Sequence, residues 1–150
     1  MRERMAEALQ HDGYVYKYDV SVPLSVFYDL VQDMRDRLGD KCLRCVGYGH
    51  VGDSNLHLVR CTVLHFLSIK IYFQNVTTSE YNTETYNLIE PFIYEWVADK
   101  RGSISAEHGI GFKKPKFLHL SKSNESIDQM KKIKHVFDPK GILNPYKVLP

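Results

Sequence analysis

The chain has 150 residues, of which 43% are hydrophobic and 25% are charged, a composition typical of one soluble globular domain with a single core. Its 20 basic and 18 acidic side chains are interspersed and give a net charge of +2. This balance excludes the basic face that nucleic-acid binding needs and the acidic tail of some interaction proteins.

The first elements predicted along the chain are a helix, a strand and a second helix. The helix at residues 2–10 is short and amphipathic and begins abruptly, as expected for an internal segment of a longer protein. Tyr and Val alternate at residues 13–22, which indicates a half-buried strand. In residues 23–40 apolar side chains recur every three to four positions as far as Gly39, which predicts a helix with one buried face.

A hairpin, a long helix and a further strand are predicted next. Strands at residues 43–48 and 55–58 flank a turn that contains two glycines. The helix at residues 80–100 contains Pro91, which predicts a kink or the first turn of a new helix. A strand at residues 102–106 completes the order strand, helix, strand, strand, helix, strand. This is the split βαβ, ferredoxin-like pattern of an α+β fold, so we expect an antiparallel sheet with helices on one face.

The chain is predicted to end in a helix and an irregular tail. Apolar spacing indicates the helix at residues 126–137. Three prolines and a glycine in residues 138–150 argue against regular structure there. Such a tail must dock on other parts of the protein to be ordered.

Three cysteines form an odd set, and the chain shows no secretory signal, so we expect a reducing compartment rather than disulfides. Cys42 and Cys45 make a CxxC pair. A zinc or redox role would need a second ligand pair or a strand-turn-helix setting; the alternative is two ordinary thiols on a strand.

Two histidine-containing motifs point to chemistry. Residues 49–57 read GHVGDSNLH, and residues 106–111 read AEHGIG. His50 and His57 lie on the two arms of the predicted hairpin, and a carboxylate such as Glu107 would complete a ligand set of two nitrogens and one oxygen that suits catalytic zinc. His108 beside it is a candidate base. The alternative is a pair of turn histidines with a hydrogen-bonded, structural role.

These motifs resemble a known family, the C-terminal domain of flavin-linked oxidases. GHxGDxNLH, EHGxG and a closing DPxxxxNPxK recur together in that family, and all three occur here in the same order over nearly the whole chain. The further stretches YVYKYD, YEW and NPYKVLP resemble members that act on D-2-hydroxyglutarate.

The resemblance implies a zinc- and FAD-dependent oxidation of D-2-hydroxyglutarate to 2-oxoglutarate. His50, His57 and Glu107 would bind the zinc, which holds the α-hydroxyl and carboxylate oxygens of the 2-hydroxy acid. His108 would remove the hydroxyl proton while the Cα hydride passes to the flavin. No phosphate-binding glycine loop occurs here, so FAD would be held mainly by a missing N-terminal domain. The chain alone is therefore expected not to turn over.

The resemblance also assigns substrate and cofactor contacts. Arg2 and Lys17 would bind substrate carboxylates, Asn75 would contact substrate, and Asn144 would pack near the flavin. Without the resemblance, Arg2 and Lys17 would be interpreted as solvated surface side chains. Ala6 stands where a threonine that contacts substrate is expected, which weakens the assignment of the exact substrate.

Partners, location and alternatives follow from the same resemblance. It implies a mitochondrial-matrix enzyme that passes electrons to an acceptor such as an electron-transfer flavoprotein. One alternative is the C-terminal part of a D-lactate or glycolate dehydrogenase, although Lys17 with Arg2 favours a dicarboxylate. The other is a non-catalytic metal-binding fragment.

Residues 59–74, VRCTVLHFLSIKIYFQ, interrupt the family pattern. Without them NLHL would run directly into NV, and their end residues can be encoded by an intron donor and acceptor, so we hypothesise a retained intron or insert. The alternative is a genuine loop or added strand. A membrane span is excluded by length. The segment moves Asn75 to eighteen residues after His57.

Overall fold

The computed structural model describes residues 13–41, 44–50, 55–61 and 82–149. The predicted helix at residues 2–10, with Arg2 and Ala6, lies outside these ranges, as do the tip of the predicted hairpin, Cys42 and Asn75.

The described residues form three strands, β1 (Val15–Ser21), β2 (Arg44–His50) and β3 (Asn55–Cys61). They pair in an antiparallel sheet with the order β1-β3-β2. The register sets Asp19 opposite His57 and Lys17 opposite Val59. The third strand begins with residues 55–58, as predicted, and continues to Cys61, so it includes the beginning of the 59–74 segment.

Four α-helices lie in the described part of the chain, and local sequence explains their ends. Gly39, with a φ of 45°, ends the first helix. Pro91 separates the second helix from the third, as predicted. The side chains of Asn82 and Ser123 accept hydrogen bonds from the N–H groups of Thr85 and Ser126 at the N-termini of the second and fourth helices. The helices are α1 (Asp29–Leu38), α2 (Thr83–Ile89), α3 (Phe92–Asp99) and α4 (Asn124–Phe137).

The core forms between β1 and the helices. Alternate residues of β1, Tyr16, Tyr18 and Val20, are buried on the side that faces the helices. The ring of Tyr18 lies 6.0 Å from that of Tyr94 in an edge-to-face contact. Burying one aliphatic side chain of this cluster stabilises the fold by about 1.5–3 kcal/mol. The aliphatic members from the helices include Leu30, Val31, Met34, Leu38, Ile89, Ile93 and Val97.

Polar contacts join the helices within this layer. The indole Nε1 of Trp96 in α3 donates to Asp33 Oδ2 in α1 at 2.7 Å. Arg37 of α1 donates from Nε to the carbonyl oxygen of Leu88 in α2 at 2.7 Å, and its guanidinium lies over the ring of Phe92 at 4.4 Å. The α1 helix is therefore fixed to both α2 and α3.

The predicted strand at residues 102–106 is not formed. Its one sheet contact among the described residues is an antiparallel bridge between Ser21 and Ser103. The chain then bends away, because side chains take the hydrogen bonds of its backbone: the N–H of Ile104 donates to Ser121 Oγ at 3.0 Å. Mixed helix and strand content is confirmed, and the four-stranded ferredoxin-like arrangement stays a prediction.

The tail is irregular from residue 138 onward, as predicted. Its start is held by Asp138, whose carboxylate accepts the N–H groups of Ile142 and Leu143 and the ammonium of Lys134. The N–H of Val148 donates to the carbonyl oxygen of Gly111 at 2.7 Å. In the ranges described, every helix is too short or too polar to cross a lipid bilayer.

Candidate active site

A buried carboxylate lies beneath the bend that carries Glu107 and His108. Asp19, in the middle of β1, is only 2% exposed. Its Oδ2 accepts the backbone N–H of Glu107 at 2.9 Å and that of His108 at 2.8 Å. The hydroxyl oxygen of Ser105 lies 3.3 Å from the same oxygen. These bonds fix the bend to the sheet.

The same contacts set the charge state of Asp19. Burial by itself raises the pKa of this carboxyl, but the N–H groups of His108 and Glu107, together with the nearby His108 and Lys114 side chains, hold the pKa below its ordinary value. Asp19 is therefore ionised at neutral pH and places a negative charge under the bend.

The side chains of Glu107 and His108 lie next to each other on the surface. Glu107 Oε1 and His108 Nε2 are 3.9 Å apart, and the two side chains are 49% and 65% exposed. Candidate ligand atoms of Asp19, Glu107 and His108 all lie within 4.8 Å of one another. A cluster of carboxylate oxygens and an imidazole nitrogen fits the donor preference of zinc.

The backbone register brings the other predicted ligand positions to the same side of the sheet. His57 in β3 is paired with Asp19 in β1, and His50 in β2 is paired with Asn55, two residues before His57. Opposed positions share a face of an antiparallel sheet, and so do positions two residues apart. By backbone register alone, positions 19, 50 and 57 belong to one face; the side chains of His50 and His57 lie outside what the structure describes.

Lys17 is exposed on the same strand, two residues before Asp19, and therefore on the same face. It borders a cavity of about 530 Å³. The other charged residues of this cavity are Glu90, Lys113 and Lys114. The ammonium of Lys114 donates to the carbonyl oxygen of Ile104 at 2.9 Å, and burial lowers its pKa against the opposing effect of Asp19 and Glu90.

Glu90 is surrounded by tyrosine hydroxyls. The hydroxyl of Tyr86 donates to Glu90 Oε2 at 2.6 Å, and that of Tyr94 donates to Oε1 at 3.3 Å. Burial, followed by the charge of Glu90, raises the pKa of Tyr94 and of Tyr18. These tyrosines therefore stay protonated as hydrogen-bond donors.

Asn144, the predicted flavin contact, lies in the tail with a φ of 46°. Its Oδ1 accepts from the ammonium of Lys147 at 3.1 Å. It borders a cavity of about 450 Å³ whose lining includes several basic side chains and lies on α4 and the tail. Neither Glu107 nor His108 lines this cavity, and a second cavity of about 510 Å³ that Asn144 borders is also lined by Gly111.

The remaining predicted residues divide into those outside the described ranges and one that is buried. Arg2, Asn75 and Cys42 lie outside. Cys45 is buried, and its thiol lies 3.9 Å from the carbonyl oxygen of Val31 in α1. It packs as an ordinary core thiol.

Sequence reasoning missed Asp19, Glu90 and Lys114. Asp19 alternates with buried tyrosines in β1, a position that a period-two pattern assigns to solvent. Its hydrogen-bond donors are 88 and 89 residues away in the sequence, so no local spacing marks it.

Residues 1–148 match the family described as FAD linked oxidases, C-terminal domain. Over 150 residues, all of this chain and 25% of the relative, the identity is 51% to mitochondrial D-2-hydroxyglutarate dehydrogenase of Bos taurus. It is 43% to a putative mitochondrial D-lactate dehydrogenase of Schizosaccharomyces pombe, over 97% of this chain and 27% of that relative. The identity is 40% to D-2-hydroxyglutarate–pyruvate transhydrogenase of Saccharomyces cerevisiae, over 99% of this chain and 28% of that relative. The chain thus spans about a quarter of the length of these curated relatives.

Proposed function

Because this chain belongs to the family of FAD-linked oxidases, C-terminal domain, we propose that it is the substrate- and metal-binding part of an FAD-dependent D-2-hydroxy acid dehydrogenase that oxidises D-2-hydroxyglutarate to 2-oxoglutarate. The observation that carries the proposal is the adjacent pair Glu107 and His108, fixed over the sheet face on which the register also sets positions 50 and 57.

In the proposed site His50, His57 and Glu107 hold zinc, and His108 is the base. When bound, zinc supplies a Lewis acid that makes the α-hydroxyl more acidic, and FAD supplies the acceptor for the Cα hydride. An imidazole nitrogen of His108 would take the hydroxyl proton, and loss of both this proton and the Cα hydride would convert the 2-hydroxy acid to a 2-oxo acid. The carboxylate of Glu107, 3.9 Å from His108 Nε2, and the ionised Asp19 below stabilise the protonated imidazole.

Substrate binding is proposed to involve Lys17, Arg2 and Asn75. The exposed ammonium of Lys17, on the same strand face as Asp19, suits a carboxylate of a dianionic acid. Asn144 is proposed to contact FAD, which a further part of the enzyme would mainly hold, so the 150-residue chain by itself would not turn over.

We further propose a mitochondrial-matrix location and an electron-transfer flavoprotein as acceptor, supported by the mitochondrial names of two relatives. The transhydrogenase relative is named for pyruvate, which makes a 2-oxo acid the competing acceptor. The ferredoxin-like arrangement is proposed as well, with the Ser21–Ser103 bridge beside β1 in place of a full fourth strand; the strand order supports it.

Zinc content of the purified chain tests the metal site. We expect one zinc per chain, lost in His50→Ala and Glu107→Ala and retained in His119→Ala, which removes an exposed histidine outside the proposed site. A folded chain without zinc, or equal loss in all three variants, would contradict the ligand assignment.

A chimera tests the reaction. The chain would replace the matched quarter of the Bos taurus relative, and D-2-hydroxyglutarate, D-lactate and glycolate would be compared with an artificial electron acceptor. We expect the highest kcat/KM for D-2-hydroxyglutarate. Preference for D-lactate would support the second candidate, which the Schizosaccharomyces pombe relative favours. A folded, flavin-loaded and zinc-loaded chimera that is inactive on all three substrates would favour the alternative of a non-catalytic metal-binding fragment.

We also propose that residues 59–74 are an insert or a retained intron. Support comes from the register: without them, the chain after Leu58 would continue with Asn75, which would take the place of Val59 opposite Lys17. Two residues proposed to bind substrate would then be neighbours across the sheet. Transcripts decide the origin, and a population without a spliced NLHLNV form would exclude the intron.

A further inference from the structure

We propose that Asp19 is a positioning residue that holds Glu107 and His108 in place for metal binding and proton transfer. The inference rests on the zinc site proposed above. It adds a residue that touches neither substrate nor metal and acts through the backbone of the two residues that do.

The hydrogen bonds of Asp19 fix the orientation of two successive peptide groups. Oδ2 accepts the N–H of Glu107 at 2.9 Å and the N–H of His108 at 2.8 Å, so both donors converge on one oxygen. Such convergence requires the backbone to curl around the carboxylate. The directions of the Cα–Cβ bonds of Glu107 and His108 are then fixed, so both side chains project from a backbone of defined geometry.

Asp19 can serve as this anchor because its own position is fixed. It lies between Tyr18 and Val20, which are 7% and 0% exposed and belong to the core. Its backbone is paired with His57 in β3. One residue therefore connects the strand that carries a proposed histidine ligand to the bend that carries the proposed carboxylate ligand and base.

A second bond at the bend supports the same role. The hydroxyl of Ser105 donates to the carbonyl oxygen of Gly109 at 2.9 Å, across the residues that Asp19 holds, and also lies 3.3 Å from Asp19 Oδ2. Gly109 has a φ of 81°, which permits the chain to close this turn. The bend is thus a closed loop around one carboxylate oxygen.

Charge-assisted acceptance by Asp19 explains why a carboxylate is needed in preference to a neutral acceptor. Hydrogen bonds to an ionised oxygen are roughly twice as strong as neutral ones. An asparagine at this position would keep an oxygen that can accept both N–H groups but would lose the charge. Its effect should therefore lie between those of aspartate and alanine.

The test compares Asp19→Ala and Asp19→Asn by titration of the purified chain with Co²⁺, whose visible spectrum reports its ligands. We expect Asp19→Ala to weaken Co²⁺ binding about 10- to 100-fold, the usual effect of losing a group that orients metal ligands. Asp19→Asn should recover part of this loss, with the spectrum of the bound ion unchanged.

Asp138→Ala and Asp138→Asn are matched controls. Asp138 is also a buried aspartate, 6% exposed, that accepts two backbone N–H groups, those of Ile142 and Leu143. We expect both controls to lower thermal stability while leaving the Co²⁺ dissociation constant within about twofold, since the described hydrogen bonds of the Asp138 side chain join it to Lys134, Ile142 and Leu143 and to none of the proposed ligands.

Amide hydrogen exchange without metal gives an independent readout. The N–H groups of Glu107 and His108 should be protected in the parent chain and lose protection in Asp19→Ala. Unchanged protection, or unchanged Co²⁺ affinity in a parent chain that binds the ion, would overturn the positioning role alone. A loss equal in Asp19→Asn and Asp19→Ala, with an altered spectrum, would overturn it in favour of direct ligation. A parent chain that binds no metal would overturn the zinc site itself and this inference with it.

Discussion

At Gly102 the chain passes directly against the end of β1. A Cβ atom there would lie 2.2 Å from the carbonyl oxygen of Ser21 and 2.9 Å from Val97 Cγ1. The same glycine donates its N–H to the carbonyl oxygen of Val97 at 2.8 Å. Only a residue without a side chain fits between the sheet and α3.

We therefore expect Gly102→Ala to lower the free energy of unfolding by about 1–3 kcal/mol, the usual cost of overpacking. Gly141→Ala is the control, because no atom lies within 4 Å of its added Cβ and its positive φ of 64° costs about 1 kcal/mol. Urea unfolding measures both. A Gly102 variant as stable as the parent chain would show that β1 and α3 are not in close contact.

Individual residues also show how much of the site could be predicted from the sequence. Glu107 and His108 were predicted from their motif, and they lie together. The carboxylate that fixes them was not predicted, because Asp19 belongs to a strand whose alternation assigns it to solvent. Burial of a charged group is decided by donors distant in sequence, which local patterns do not encode.

Among the elements, the tail depends on one aspartate. The Lys134 ammonium and then the N–H groups of Leu143 and Ile142 hold the pKa of Asp138 below its ordinary value, against burial, which raises it. A carboxyl whose pKa falls on folding stabilises the folded tail above its unfolded pKa. That stabilisation is lost as pH falls through the lower, folded pKa.

We expect the amides of Ile142 and Leu143 to lose protection from hydrogen exchange as pH falls below about 4, after correction for intrinsic exchange rates. Asp138→Asn should remove this pH dependence, because asparagine does not titrate. Asp128→Asn, an exposed aspartate in α4, should retain it. If Asp138→Asn kept the pH dependence of the parent chain, another group would control the tail.

Elements with local stop signals were predicted well. Gly39 ends α1, and Pro91 divides the long predicted helix into α2 and α3. The strand at residues 102–106 was wrong because its contact with β1 ends at Ser103, whose N–H donates to the carbonyl oxygen of Ser21. The next N–H, that of Ile104, donates to Ser121 Oγ, and just beyond the segment those of Glu107 and His108 donate to Asp19. The competition between a sheet ladder and side-chain acceptors is tertiary, so the local sequence could not reveal it.

For the whole molecule, deletion of residues 59–74 tests how the sheet supports the proposed reaction. Its first residues occupy β3 as far as Cys61, with Val59 opposite Lys17. Deleting the segment would put Asn75 at that register position. A hydrogen bond from an amide to a charged carboxylate is worth about 1.5–3 kcal/mol.

We therefore expect the deletion to raise kcat/KM for D-2-hydroxyglutarate about 10- to 100-fold in the chimera. Asn75→Ala should cancel that gain in the deleted chain and have little effect in the chain that keeps the segment. Equal sensitivity to Asn75→Ala in both backgrounds would mean that Asn75 reaches the substrate despite the segment.

The family could be recognised from the sequence because each of its motifs is a short continuous run of residues and the motifs occur in the same order, and the match over residues 1–148 confirms it. The arrangement of the site could not be predicted in the same way. Lys17, Asp19 and Glu107 come from two separate parts of the chain, and strand pairing with a single bend brings them to one face. Candidate residues could therefore be named from their types and motifs, whereas the contacts that support them could not be predicted.

Trp96, whose indole joins α3 to Asp33 of α1, is the only tryptophan of the chain. The tryptophan fluorescence of the chain consequently arises entirely from the helix layer. The core side chains of β1 separate that layer from the sheet face of Asp19. The chain thus carries a built-in optical probe of helix packing, whose emission would report separation of α1 from α3 during unfolding independently of what binds on the opposite face.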